Sequence, residues 1–303
     1  MVIKKQDFSS SILLTLSYCD QFDYPLTYQQ LIPRLIAQKS AINLVKIKPA
    51  LAKLLQLGLI NHQDQFWFLN SRQKLVSIRK KRTQYSSQKN KEMATFIFFA
   101  SLLPWIKAVF LSGSVAMQNA VKNDDLDFFI ITQQNRLWLT RLVLMVFTTL
   151  VGKRRSWHSE EENSWCLNLY LDQQALSINL VKRNIYTAYE VAQVKLLYQN
   201  DGAASDFYRQ NWWVKKLLPF FQPQLFVQQN NFGVELIRFF LSLGDFCLSW
   251  FFDLLNFFAF QIQLNYMRPH MTTERVNLHQ AYFHPRNTRK KILEYWQKSL
   301  LNL

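Results

Sequence analysis

The chain has 303 residues, 49% of them hydrophobic, and a formal net charge of +16 at pH 7. That apolar content suffices for two or three domains with their own cores and excludes a chain too polar to bury one. Three cysteines, Cys19, Cys166 and Cys247, stand far apart, which excludes a disulfide framework and points to free thiols in a reducing compartment.

Lys4 and Lys5 precede a short apolar patch, Ile12 to Tyr18, but no small-residue cleavage site follows, so a cytoplasmic location is expected. The charge is uneven. Residues 1–103 carry 15 basic against 5 acidic side chains, residues 104–184 carry 9 against 7, and residues 185–303 carry 12 against 8. The basic excess at the front suits a polyanionic partner there, or general solubility.

Residues 1–72 form the first expected domain. Ser11 to Tyr18 carries apolar residues at helical spacing. Thr27 fits the N-cap of a helix from Tyr28 to Ala37. Pro49 opens the first turn of a third helix, which reaches Leu57 and closes at Gly58. Leu59-Ile60 and Phe66 to Leu69 read as strands across a polar turn. The run LAKLLQLGLI followed by QFWFL resembles the recognition helix and wing of winged helix-turn-helix domains. That resemblance implies a third helix able to enter a DNA major groove, with Lys46, Lys48 and Lys53 as its nucleic-acid-binding residues. Winged helices also dock proteins, and that alternative stays open.

Residues 73–103 read as one connecting helix. Its first half is basic (Lys74, Arg79, Lys80, Lys81, Arg82), either a solvated face or a patch for nucleic acid such as an acceptor RNA. No aromatic residue interleaves before Tyr85, which argues against single-strand stacking.

Residues 104–184 hold the most informative stretch, VFLSGSVAMQNAVKNDDLDFFIIT, from Val109 to Thr132. An apolar run leads into Ser112-Gly113-Ser114, and Asp125-Leu126-Asp127 leads into a second apolar run. Aspartates at i and i+2 on a strand share a face. Two carboxylates so close repel unless a cation lies between them. Oxygen ligands suit Mg²⁺, which commonly also takes phosphate oxygens, and a glycine turn offers backbone N–H groups to a phosphate.

This pattern, apolar-Gly-Ser and then Asp-apolar-Asp-apolar about ten residues on, resembles the polymerase-beta-like nucleotidyltransferases of the small bacterial and archaeal type. The resemblance implies a mixed α+β fold and metal-dependent transfer of a nucleoside monophosphate from a triphosphate to an acceptor, releasing pyrophosphate. It implies that Asp125 and Asp127 ligate Mg²⁺ or Mn²⁺ and that Gly113 and Ser114 hold the triphosphate. Many small members carry a basic residue and then a glycine where this chain has Met117 and Gln118.

The family needs a third carboxylate from a neighbouring strand. Cys166 to Asp172 alternates, with Asn168, Tyr170 and Asp172 on the polar face. Asp172 is its only acid and the expected third catalytic and metal-binding residue; with Asn168 in that place, one anionic ligand would be missing. Arg136 to Leu150 reads as a helix on the sheet, with Arg136 and Arg141 within reach of a triphosphate.

Residues 185–303 read as a helical C-terminal region. Thr187 to Glu190 fits a capping box. Gly233 to Met267 is rich in Phe and Leu, yet Glu235, Arg238, Ser242, Asp245, Ser249, Asp253, Asn256 and Gln263 make one polar stripe. An amphipathic helix with its wide apolar face on the core or on a dimer partner fits this pattern better than a membrane span. His270, His279 and His284 lack the spacing of a compact zinc site.

The expected fold is therefore α+β: a winged helix, a basic connecting helix, a nucleotidyltransferase sheet and a helical end. The expected function is nucleotidyl transfer. The alternatives are a DNA-binding regulator whose nucleotidyltransferase domain senses nucleotide, and a membrane-associated protein using the Phe-rich helix.

Overall fold

The computed structural model describes residues 8–37, 44–154, 162–223, 225, 232–271, 274–283 and 287–301. His284 lies outside them. The architecture is mixed α+β, with two sheets.

The first 72 residues give α1 (Phe8–Asp20), β1 (Leu26–Thr27), α2 (Tyr28–Arg34), α3 (Ile47–Gln56), β2 (Ile60–Gln63) and β3 (Phe66–Leu69). Thr27 caps α2 in a reciprocal box with Gln30, so two of the N–H groups left open at a helix start are satisfied. The helix stops at Arg34, short of the expected Ala37, because the N–H groups of Ile36 and Ala37 go instead to Thr15 Oγ1 at 3.0 Å and to the Leu217 carbonyl at 3.1 Å. Gly58, at φ +66°, turns the chain out of α3. Asp64 makes the left-handed turn (φ +57°) between β2 and β3. The sheet order is β1-β3-β2, antiparallel throughout.

The expected single helix over 73–103 is two, α4 (Lys74–Gln88) and α5 (Asn90–Leu102). They break at Lys89, whose buried ammonium donates to the Asp124 carbonyl (2.5 Å) and to Asn163 Oδ1 (2.7 Å). The basic run on α4 is largely committed to structure. Arg79 is buried on the Tyr24 ring, Arg82 donates to the Phe22 carbonyl, and Lys80 pairs with Asp64.

The large sheet follows. Its parts are β4 (Ile106–Ser112), α6 (Gly113–Ala116), β5 (Leu126–Thr132), α7 (Leu137–Leu150), β6 (Trp165–Asp172), α8 (Ile185–Gln193) and β7 (Lys195–Gln199). Then come α9 (Ala203–Gln210), α10 (Val214–Leu217), α11 (Phe232–Cys247), α12 (Ser249–Met267), β8 (Arg275–Asn277), β9 (Gln280–Tyr282) and α13 (Asn287–Leu301). The strand order is β7-β4-β5-β6-β9-β8. Only β5 and β6 run parallel. The region after residue 184 is thus not purely helical: it supplies three of these strands.

β4 and β5 are apolar on both faces because both faces are covered. Ala108, Phe110, Phe129 and Ile131 share a core with α1, α3, α8, α9 and α13. Val109, Leu111, Phe128 and Ile130 share the other core with α5, α7 and α12. Tyr18 of α1 stacks on Tyr189 of α8 at 4.2 Å, with Trp296 of α13 edge-on at 5.5 Å. The N-terminal elements are therefore welded to the face of the sheet that carries Asp125 and Asp127.

The Phe-rich segment departs most from expectation. It bends by 89° between α11 and α12; four of the eight residues of its polar stripe face inward, while Glu235, Ser242, Ser249 and Asp253 stay exposed. Arg238, Asp245, Asn256 and Gln263 are buried, while Phe246, Trp250 and Ile262 are exposed. Among the described residues no single helix is long and apolar enough to cross a membrane.

Candidate active site

β4 and β5 pair so that Ser112 lies opposite Asp127. The chain leaves β4 through Gly113, at φ +67°. A Cβ built at Gly113 would collide with Oδ2 of Asp127. Only glycine allows both the backbone turn and the approach of that carboxylate.

Asp127 is approached on its other oxygen by Asn168 of β6, whose Nδ2 lies 2.5 Å from Oδ1. Asp125, just before β5, accepts from the Ser164 backbone N–H at 2.9 Å and from the Cys166 thiol at 3.3 Å. Ser114 donates to Asp124 at 2.7 Å, and Asp124 also accepts from the Val121 N–H. The loop from the glycine turn to the aspartates is thereby closed on itself.

Asp172 is not at this site. It pairs with Thr132, five residues beyond Asp127 and about 17 Å along the strand. It is fully buried, 2.7 Å from His279 Nδ1, and accepts from the Gln174 N–H at 2.9 Å. Its role is to tie the end of β6 to the β8–β9 turn. A bulge decides the register: Phe128 pairs with Leu167 and Phe129 with Leu169. Asn168 is thus the extra residue, pushed toward Asp127.

The two arginines expected at a triphosphate belong to the opposite core. Arg136 is buried, donates to Asp245 at 2.7 Å, and is also bonded to Asp253. Arg141 is bonded to Gln263 and lies over the Phe283 ring at 4.6 Å; burial lowers its pKa. Neither reaches the aspartates, because α7 packs its polar side against α12.

The expected box at Thr187 and Glu190 also gives way. Asn184 caps α8, accepting from the Thr187 N–H at 3.1 Å. Glu190 instead bonds Gln193 Nε2 at 2.8 Å. Burial, and then the charge of Asp127, push its carboxyl up to about 7.

A cleft of about 110 Å³ opens beside Ala116, lined by Arg34, Gln193 and Lys195 among others. Arg34 comes from the end of α2, and its Nη2 lies 3.6 Å from Met117 Sδ. It brings a cation to the residue where the family motif has its basic side chain. Gln118, where the family has glycine, adopts the glycine conformation at φ +55°. Its carbonyl accepts from Arg79. Arg34, Lys195 and Glu190 were not singled out as site residues from the sequence. The missing basic residue at 117 was a signal to look for one elsewhere.

Lys46, Lys48 and Lys53 are exposed on and just before α3. Among the described residues, no three His, Cys, Asp or Glu side chains converge to hold a metal ion. Both oxygens of Asp125 accept from Ser164 and Cys166, and Oδ1 of Asp127 accepts from Asn168. The two carboxylates do not furnish the three-carboxylate centre expected with Asp172. No protein family matches the chain, nor does any curated protein or solved structure.

Proposed function

We propose that this protein binds a nucleoside triphosphate with Mg²⁺ or Mn²⁺ at the Gly113 turn and transfers the nucleoside monophosphate to an acceptor, releasing pyrophosphate. The observation that carries this reading is the approach of the Asp127 carboxylate to Gly113, which holds φ +67° at the end of β4. A close approach of that kind is what a turn shared by a phosphate and a metal-binding carboxylate requires.

In this reading Asp125 and Asp127 hold the cation, which when bound neutralises phosphate charge and polarises the reacting phosphoryl group. The Gly113–Ser114 turn receives the phosphates. Arg34 and Lys195, both lining the cleft, add positive charge beside them. Glu190, close enough to Asp127 to feel its charge, is assigned to take the proton from the acceptor hydroxyl.

The finer fold assignments belong to the same proposal. The β4-α6-β5 unit with β6 is read as a polymerase-beta-like nucleotidyltransferase sheet. The order α1-β1-α2-α3-β2-β3 is read as a winged helix, with Lys46, Lys48 and Lys53 toward duplex DNA.

A second reading has its own observation. Asn168 stands beside Asp127, where the family's third carboxylate is expected, so transfer is slow and the site senses nucleotide for a DNA-binding regulator. The test is pyrophosphate release from each ribonucleoside triphosphate with Mg²⁺ or Mn²⁺, in the presence of cellular RNA and extract. Release lost in D125N/D127N supports transfer. Nucleotide binding without release supports the sensor. Neither binding nor release sinks both readings.

A further inference from the structure

α11 and α12 are mounted with Asp245, Asn256 and Gln263 inward, and the bonds that hold the helices leave no freedom to turn over. Asp245 accepts from Trp105 Nε1 at 2.9 Å, Gln133 Nε2 at 2.9 Å and Arg136 Nε at 2.7 Å. Asn256 Oδ1 accepts from the N–H groups of Trp138 and Leu139 at 2.8 and 3.2 Å. It thereby satisfies donors that the first turn of α7 would otherwise leave open. Gln263 Nε2 donates to the Trp138 carbonyl at 2.9 Å. Every one of these groups would be stranded if the helices rotated their apolar side onto the core.

The outward side is correspondingly bare. Phe246 is 82% exposed, Trp250 71% and Ile262 69%. Between residues 236 and 267 the sole exposed charged side chain is Asp253, and Arg136 is bonded to it. The surface continues onto neighbouring helices: Phe98 of α5, and Leu142, Val146 and Leu150 at four-residue steps on α7, are exposed as well. Helices of 16 and 19 residues present a footprint of roughly 500 Å² or more, above what a soluble monomer leaves bare without a use.

Charge selects the occupant. Arg136 reaches Ser249 while Arg141 reaches Gln263, so α7 and α12 run in the same direction. Half-exposed Arg154 follows the exposed Leu150 and Val151 at the end of α7, and exposed Arg268 follows Tyr266 at the end of α12. Arg141 feels both Arg154 and Tyr266, so the two cations border the apolar surface. A second copy of the chain would bring its own two arginines and its own +16 against these. An anionic bilayer surface brings the opposite charge.

We infer that this face lies on an anionic lipid surface, with α11 and α12 flat in the headgroup boundary and Arg154 and Arg268 among the phosphates. The 89° bend suits an L-shaped pair lying in the plane. Neither arm has the run of about 20 apolar residues that a span requires. This departs from the expectation that the apolar side of the segment packs on the core or on a dimer partner and takes up the membrane-associated alternative, and it is independent of the nucleotide site.

The test is flotation of the full chain with vesicles of phosphatidylcholine alone and of phosphatidylcholine mixed with phosphatidylglycerol. The chain is expected to float with the anionic vesicles and to detach as salt rises. F246D/W250D, which alters only exposed side chains, is expected to bind at least about tenfold more weakly, with circular dichroism unchanged. R154Q/R268Q is expected to lose the preference for anionic lipid. Failure to float with either vesicle overturns the inference. So does a dimer in analytical ultracentrifugation that F246D/W250D disperses, since a second copy then covers the face.

Discussion

The side-chain amide of Asn168 lies 2.5 Å from the carboxylate of Asp127. An amide there stabilises an ionised Asp127 when no cation is present, and a carboxylate in its place would repel it. N168D should therefore be destabilised without metal and recover with Mg²⁺. It should also raise pyrophosphate release, on the order of tenfold or more, by supplying the missing anionic ligand. Thermal unfolding with and without Mg²⁺, together with the release assay, checks both. A variant indifferent to Mg²⁺ in both measurements would show that residue 168 is not at a cation site.

Glu190 carries a second consequence. Its carboxyl is raised in the folded chain to about 7, from an unfolded value near 4.5. The neutral acid is the form the fold prefers. The stability this group contributes is fully present below about pH 4.5 and is lost as pH rises through 7. E190Q, neutral at every pH, should remove that slope and be the more stable protein at pH 8, by on the order of 2 kcal/mol. Urea unfolding at pH 5 and pH 8 measures it; equal pH dependence in both proteins would refute the assignment. If Glu190 takes the acceptor proton, E190Q should also lose the limb of the rate profile that rises through pH 7.

Much of the architecture was legible because the signals are short-range. Thr27 before α2, Gly58 after α3 and the paired strands around Asp64 each follow from one or two residues with a local job. The two aspartates were legible as a pair because strand alternation puts them on one face. Strict alternation would put Asn168 and Asp172 on one face; the bulge beside Phe128 turns Asn168 to the side of Asp127, Leu169 and Leu171 and leaves Asp172 on the side of Tyr170. Ser86 and Ser87, which bond back to the Arg82 and Gln84 carbonyls, weaken the helix before Lys89. The break is set by what its ammonium reaches 35 residues away. The single polar stripe expected across Glu235 to Gln263 is cut by the 89° bend, and the inward direction of Asp245 depends on donors from Trp105, Gln133 and Arg136.

Gln118 holds the left-handed conformation at φ +55°, where a side chain costs about 1–2 kcal/mol. Its carbonyl, not its side chain, accepts from Arg79. Q118G should keep that bond and relieve the strain. The added freedom of glycine in the unfolded chain offsets part of the gain, leaving about 0.5 kcal/mol in favour of the variant. A raised thermal midpoint with nucleotide binding intact is the expected result, whereas a lowered midpoint would mean that the glutamine side chain holds the turn.

Arg136 links α7 to both arms of the bent pair, and its two partners should not be equivalent. Asp245 is 8% exposed at its side chain and Asp253 46%. Removing the buried Asp245 leaves the guanidinium with only the half-exposed Asp253 as a charge partner, at a cost of up to roughly 3–5 kcal/mol. An exposed partner is replaced by water at about 1 kcal/mol or less. D245N also turns an acceptor of three donors into a group with its own N–H bonds facing Trp105 and Gln133. Urea midpoints should therefore fall steeply for D245N and slightly for D253N. The reverse order would place the structural ion pair on α12, and the inward stripe would then anchor one arm only.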